Sequence, residues 1–208
     1  MNTKQAYNIW AAQYDTNDNK TRDLEGLALK LCLARVPFNK VLEIGCGTGK
    51  NTEWLIGKAA MITAVDLSDQ MLARAKDKIT SNRVEFKQAD ITARWNFRDG
   101  LYDLVTFSLI LEHIDNLDYV FNQVSKSLNP EGYVYVGELH PYKQYTGTKA
   151  RFDTEDGRQL VDCFNHNISD FIQAGKKHGL TLVDVEEYFD DNNRTDIPRI
   201  LTILFRKS

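Results

Sequence analysis

The chain has few of the residues that mark specialised classes of protein. Its three cysteines, Cys32, Cys46 and Cys163, stand far apart in 208 residues. They are too few for a disulfide framework, and none forms the close pair of a zinc site, so all three read as free thiols. The four histidines, His113, His140, His166 and His178, are equally scattered, and no metal is expected. No uncharged apolar run reaches the length of about 18 residues that a membrane span requires. Cationic excess is missing too: 26 Lys and Arg face 29 Asp and Glu, with nothing like the basic stripe of a nucleic-acid binder. The opening MNTKQAYNIW has neither the basic end nor the apolar centre of a secretory leader. A cytoplasmic protein is expected, with no membrane and no nucleic-acid partner, as a monomer or homodimer.

What remains is ordinary globular material, 42% hydrophobic and 26% charged. At this length a single domain over residues 1–208 can bury roughly 70% of the surface its unfolded chain exposes. Thr3 to Tyr14 carries Tyr7, Trp10 and Tyr14 at helical spacing, and Leu24 to Ala34 reads as a second helix stopping before Pro37. Short apolar runs then alternate with amphipathic ones. Strands are expected at Val41–Ile44, Met61–Asp66, Val84–Gln88, Tyr102–Ser108 and Tyr133–Glu138. Helices are expected at Lys50–Lys58, at Ser68–Lys78 with Ser68 as cap, and at Leu117–Leu128, ended by Asn129, Pro130 and Gly132.

Strands separated by helices pair in parallel, because only a long crossover returns the chain to the same edge. After the fifth strand the rhythm breaks: residues 140–166 are polar and aperiodic, an inserted flap of turns or a short hairpin. A helix at Ser169–His178, capped by Ser169 and ended by Gly179, precedes two closing strands, Leu182–Tyr188 and Ile200–Phe205. The expected fold is α/β: a doubly wound, Rossmann-like, seven-stranded, mostly parallel sheet with an antiparallel last strand. Its ligand site lies at the carboxyl ends of the strands.

The sharpest local signal is Val41 to Asn51, VLEIGCGTGKN, where the first strand turns into a helix. Gly45, Gly47 and Gly49 permit backbone angles and a close approach that side chains would block. Lys50 stands where a dinucleotide fingerprint wants a third glycine, and Asn51 stands where a phosphate loop wants Ser or Thr. Glu43 points the same way: a carboxylate repels a pyrophosphate but attracts a sulfonium or ammonium. Asp66, ending the second strand, is placed to accept from both hydroxyls of a ribose. Asp90 follows the third strand and can accept from an adenine amino group, with Leu67 and Ile91 available to sandwich the ring.

These residues resemble the first motifs of the class I S-adenosylmethionine-dependent methyltransferases, in the small-molecule subgroup similar to the ubiquinone and menaquinone biosynthesis enzymes. The likeness covers Tyr7 to Glu138: Glu43-x-Gly45-x-Gly47-x-Gly49, Asp66, Ala89-Asp90-Ile91 and Ser108-Leu109-Ile110-Leu111-Glu112-His113 occur in the expected order. It implies S-adenosyl-L-methionine as cofactor, S-adenosyl-L-homocysteine as product, and residues 1–36 as a helical cap. Gly45 and Gly47 should lie under the methionine part, with Ser108 beside its carboxylate or sulfonium. Asp66 should bind ribose, and Asp90 with Ile91 the adenine. Tyr7 and Tyr14 should close over the cofactor, with Cys46, Leu67, Met71 and His113 completing its surroundings.

Methyl transfer is an in-line displacement, so alignment and exclusion of water can carry much of it, and a base is optional. His140, His166 and His113 compete for proton transfer or substrate contact. In the flap, Tyr142, Tyr145, Arg151 and Phe152 could cover a flat or carboxylated acceptor. A non-catalytic cofactor-binding module and a protein methyltransferase stay open as alternatives. Nucleic-acid base methylation is disfavoured, since Ser108–Leu111 lacks the Asn or Asp, two prolines and aromatic of those relatives.

Overall fold

The computed structural model describes residues 2–154 and 157–208, with the side chains of all of these except 152–154 and 158. Two helices come first, α1 (Thr3–Trp10) and α2 (Lys20–Cys32). Then β1 (Lys40–Ile44), α3 (Lys50–Ile56), β2 (Met61–Asp66), α4 (Asp69–Lys78), β3 (Val84–Gln88), β4 (Tyr102–Ser108), α5 (Leu117–Ser127) and β5 (Leu128–Leu139) alternate. The flap holds α6 (Pro141–Tyr145) and a separate hairpin of β6 (Arg151–Thr154) and β7 (Gly157–Leu160). The chain closes with α7 (Ile168–Lys177), β8 (Leu180–Tyr188) and β9 (Ile200–Lys207).

Seven strands form one sheet in the order β3-β2-β1-β4-β5-β9-β8. The first five pair in parallel, and β9 runs antiparallel to both β5 and β8. Alternation along each strand divides the apolar side chains between two faces. Leu42, Val65, Val105, Val136 and Ile203 join α5 and α7 in one core, while Val41, Ala64, Leu104, Tyr135 and Leu204 pack with α2, α3 and α4 in the other. This is the expected doubly wound fold, reversing direction between β1 and β4, where such sheets place ligands.

Boundaries differ from the sequence reading where a side chain decides them. Asn19 caps α2 by accepting from the Arg22 amide, so this helix begins at Lys20 rather than Leu24. α7 is capped by Asn167 rather than Ser169, in a reciprocal capping box with Asp170. The turn expected at Asn129–Gly132 lies inside β5: Leu128 pairs with Tyr102 and Tyr133 with Leu104, so the four residues bulge, with Glu131 at φ 67°. Ser68 caps α4 as expected, its Oγ accepting from the Met71 amide at 3.1 Å. Among the described residues, no helix is long and apolar enough to cross a membrane.

Candidate active site

At the carboxyl ends of β1, β2 and β4 the chain encloses a cavity. Its floor is the glycine loop. Gly45 has φ +71°, and a Cβ there would fall 2.0 Å from Ile110 Cδ1. Gly47 also has positive φ, but a Cβ on it would meet open space, so its bare backbone faces room that a ligand can use. The amides of Gly45 and Cys46 both donate to the Val65 carbonyl, at 2.8 and 3.0 Å, tying the loop to β2.

Asp66, the last residue of β2, lines the same cavity. Its Oδ2 accepts from the Gly47 amide and its Oδ1 from the Ser68 amide, each at 2.8 Å. Burial raises its pKa against the pull of these backbone bonds. Each oxygen keeps a further lone pair, so the carboxylate is fixed in direction and can still accept from a diol. Leu67 and Met71 follow on the wall with Ala89 and Ile91. Asp90 sits on the exposed rim, its Oδ1 held by the amide and hydroxyl of Thr92 at 2.8 and 2.6 Å.

Ser108, at the end of β4, also lines the cavity. Asn51 Nδ2 lies 3.1 Å from Ser108 Oγ and 3.1 Å from Glu25 Oε2, while the Tyr135 hydroxyl donates to Glu25 Oε1. Burial pushes the Glu25 pKa up. The sequence reading missed Glu25, an acid at a buried position of α2. Leu27 and Leu31 of that helix are exposed, and the face it buries holds Glu25 with Gly26, Ala28 and Leu29, where a carboxylate needs partners.

The roof is aromatic. Tyr7 stacks on Trp10 at 5.6 Å between centroids, and Trp10 meets the edge of Tyr14 at 5.1 Å. The Tyr7 hydroxyl lies 2.9 Å from His113 Nε2, and His113 Nδ1 lies 2.8 Å from the Asp162 carbonyl. A carbonyl only accepts, so Nδ1 carries the hydrogen and Nε2 accepts from Tyr7. His113 thus joins cap and flap beside the cavity. Glu112, His113 and Cys163 bring donor atoms within 4.8 Å of one another, but the ring turns Nε2 toward Glu112 (3.9 Å) and Nδ1 toward Cys163 (3.8 Å).

Several sequence candidates sit elsewhere. His140 is fully buried and lines neither cavity described here: its Nε2 is 2.9 Å from Glu187 Oε1 and its Nδ1 caps α6 by accepting from the Tyr142 amide. After β5 the chain turns into a helix start that takes up Nδ1, while Glu187 of β8 takes up Nε2. His166 Nε2 donates to the Ile114 carbonyl at 2.7 Å and the ring packs on Phe171. Tyr142 and Tyr145 are exposed, the latter bonded to Asn167. Glu43 lies buried behind the glycine loop, where Thr52 Oγ1 donates to it at 2.6 Å and burial lifts its pKa to about 8. Cys46 is likewise buried in packing. Arg151 lines a second cavity next to the first. The side chain of Phe152 lies outside those described.

The donor set fits S-adenosylmethionine: an enclosed carboxylate with spare lone pairs beside an uncovered glycine backbone, apolar walls for a base, and a polar end at Ser108. A family described as a methyltransferase domain matches residues 42–136. An uncharacterized methyltransferase of Emericella nidulans is 26% identical over 225 residues, spanning 88% of this chain and 77% of that protein. The ubiquinone biosynthesis O-methyltransferase of Hydrogenovibrio crunogenus is 29% identical over 139 residues, 65% of this chain and 57% of its own length. The chain thus spans little more than half of that relative. The N-methyltransferase NodS of Bradyrhizobium japonicum, solved with S-adenosyl-L-homocysteine, superposes with a TM-score of 0.74 at 20% identity, covering 100% of this chain and 99% of that one.

Sheet order, glycine loop and acid after β2 together define the class I S-adenosylmethionine-dependent methyltransferases. The methyltransferase match runs from β1 into β5, and this chain is similar to that class in fold and in the lining of its cavity.

Proposed function

We propose that the chain transfers the sulfonium methyl group to an O, N or C atom of a small-molecule metabolite. The observation that carries this reading is Asp66, aimed by two backbone amides into the cavity that Gly47 leaves open. When bound, the cofactor would supply an activated methyl group with its own leaving group, the electron pair staying on sulfur, and a proton displaced from the acceptor would pass to solvent.

The chain's own residues bind and align. Asp66 accepts from the ribose hydroxyls; Asp90 and Ile91, with Leu67 and Met71, hold the adenine. Gly45 and Gly47 underlie the methionine part, whose polar end meets Ser108, itself steadied by Asn51 and Glu25. Tyr7 and Tyr14 exclude water from above. Both nitrogens of His113 are engaged, so it acts as a positioning residue for the cap, and alignment supplies the rate. The relatives named for ubiquinone biosynthesis support a small acceptor. Residues 1–36 serve as cap and 140–166 as substrate flap of one domain over 1–208. The reading places the enzyme in the cytoplasm, as a monomer or homodimer without nucleic acid, in keeping with its net charge of -3.

Calorimetry with S-adenosylmethionine and S-adenosylhomocysteine tests the cofactor assignment, and binding of both is expected. A metabolite extract incubated with methyl-labelled cofactor tests transfer. Binding without any labelled product of low mass would remove the small-molecule reading.

A further inference from the structure

A second cavity adjoins the first, and Tyr7, Tyr14 and Leu109 line both. Leu109 holds φ 58° at this shared wall, a left-handed conformation that costs a branched residue energy and is retained at functional sites. The second cavity carries a group of cations. Lys20, Lys149, Arg151 and Arg199 line it, and none of them lines the first.

Two carboxylates line it as well, Asp18 and Glu112. Glu112 is buried and engaged with Gln144 and His113. Arg199 grips Asp190 through Nε and Nη2 and reaches Thr21 Oγ1 through Nη1 at 3.1 Å. Of its five N–H groups two remain. Lys143 lies 4.0 Å from the same Asp190, so one carboxylate is divided between two cations. The helix α2 also begins here: Asn19, Lys20 and Thr21 line the cavity, bringing the positive end of the helix to the same place.

Resting on the methyltransferase reading, we infer that this second cavity receives the methyl acceptor, and that the acceptor carries an anionic group, a carboxylate or a phosphoryl group. Lys149, Arg151 and Arg199 hold the anion against the start of α2. The apolar part of the acceptor lies on Trp10, Leu139 and Leu109, toward the shared wall.

The test uses the full chain saturated with S-adenosylhomocysteine. Inorganic phosphate, benzoate and neutral benzamide are titrated separately by calorimetry into the wild type and into the double variant Lys149→Ala/Arg151→Ala. At least one anion should bind the wild type, with benzamide inert. Its dissociation constant should rise about tenfold or more in the double variant, as loss of charge-assisted bonds implies. Phosphate alone would name a phosphoryl acceptor, and benzoate alone a carboxylate; either result, or both binding, supports the assignment. Absence of binding by both anions, or equal affinity in the double variant, overturns it while leaving cofactor binding intact. Failure of the wild type to bind S-adenosylhomocysteine would instead overturn the reading beneath it.

Discussion

The Tyr7 hydroxyl donates to His113 Nε2 across 2.9 Å, tying the first helix of the cap to the turn that follows β4. These residues are 106 positions apart in the chain, and α1 otherwise packs chiefly on α4. The bond is therefore a latch over the cofactor cavity. Tyr7→Phe keeps the ring that stacks on Trp10 and removes only the donor. A net loss of about 1 kcal/mol, or roughly fivefold in S-adenosylhomocysteine affinity, is expected. Calorimetry measures it, and hydrogen exchange over Thr3–Trp10 should speed up in the same variant. Unchanged affinity with unchanged exchange would show that the latch holds nothing.

Asp66 carries the cofactor assignment, so its replacement is the most direct check on the site. Asp66→Ala removes a charged acceptor worth about 1.5 to 3 kcal/mol, which predicts a loss of more than tenfold in cofactor affinity. The Gly47 and Ser68 amides lose their partner as well. Asp66→Asn keeps an oxygen for one amide and should fall between wild type and alanine. Thermal unfolding of each variant without ligand separates loop disorder from lost ribose contact.

The fold and much of the lining of the first cavity were legible because both are written locally. A glycine loop at a strand end, an acid ending the next strand and alternation along β1, β2 and β4 are set by neighbours within a few residues. The second cavity is assembled from distant segments: Lys20 and Thr21 from the start of α2, Arg199 before β9 and Arg151 from the flap. Nothing in their spacing announces this meeting. His140 misled for the opposite reason, since a histidine directly after β5 reads as an active-edge residue until its two nitrogens are accounted for. Glu43 misled similarly: its position in the motif is clear, but strand alternation turns its side chain to Thr52, away from the cavity.

His140 now predicts a stability effect rather than a catalytic one. His140→Ala removes the cap of α6 and the partner of Glu187. Caps and buried hydrogen bonds of this kind each contribute about 1 kcal/mol, so urea unfolding should shift by about 1 to 2 kcal/mol. Cofactor affinity should hold within about twofold, since that shift acts on folding and not on the site. A large loss of turnover in a folded variant at full cofactor occupancy would return His140 to the reaction.

Glu43 gives the protein a pH dependence of known sign. Its carboxyl is lifted to about 8 by burial, against the Thr52 bond that favours the charged form, whereas the unfolded chain releases the same proton near pH 4.3. Below that unfolded value both states hold the proton and the stability is fully present. Between it and about 8 the folded state binds the extra proton, so stability falls as pH rises, and it levels off above 8. Glu138, also raised to about 8 by burial, acts in the same direction. His140, lowered by burial, opposes both below about pH 6.5, because the unfolded chain protonates it more readily. The difference between Glu43→Gln and wild type isolates one contribution: the glutamine has no proton to lose. Melting temperatures followed from pH 5 to pH 8.5 should fall less steeply in Glu43→Gln, with the variant gaining on the wild type toward alkaline pH. Parallel curves would mean that Glu43 titrates alike in both states, and that its charge is tolerated behind the glycine loop.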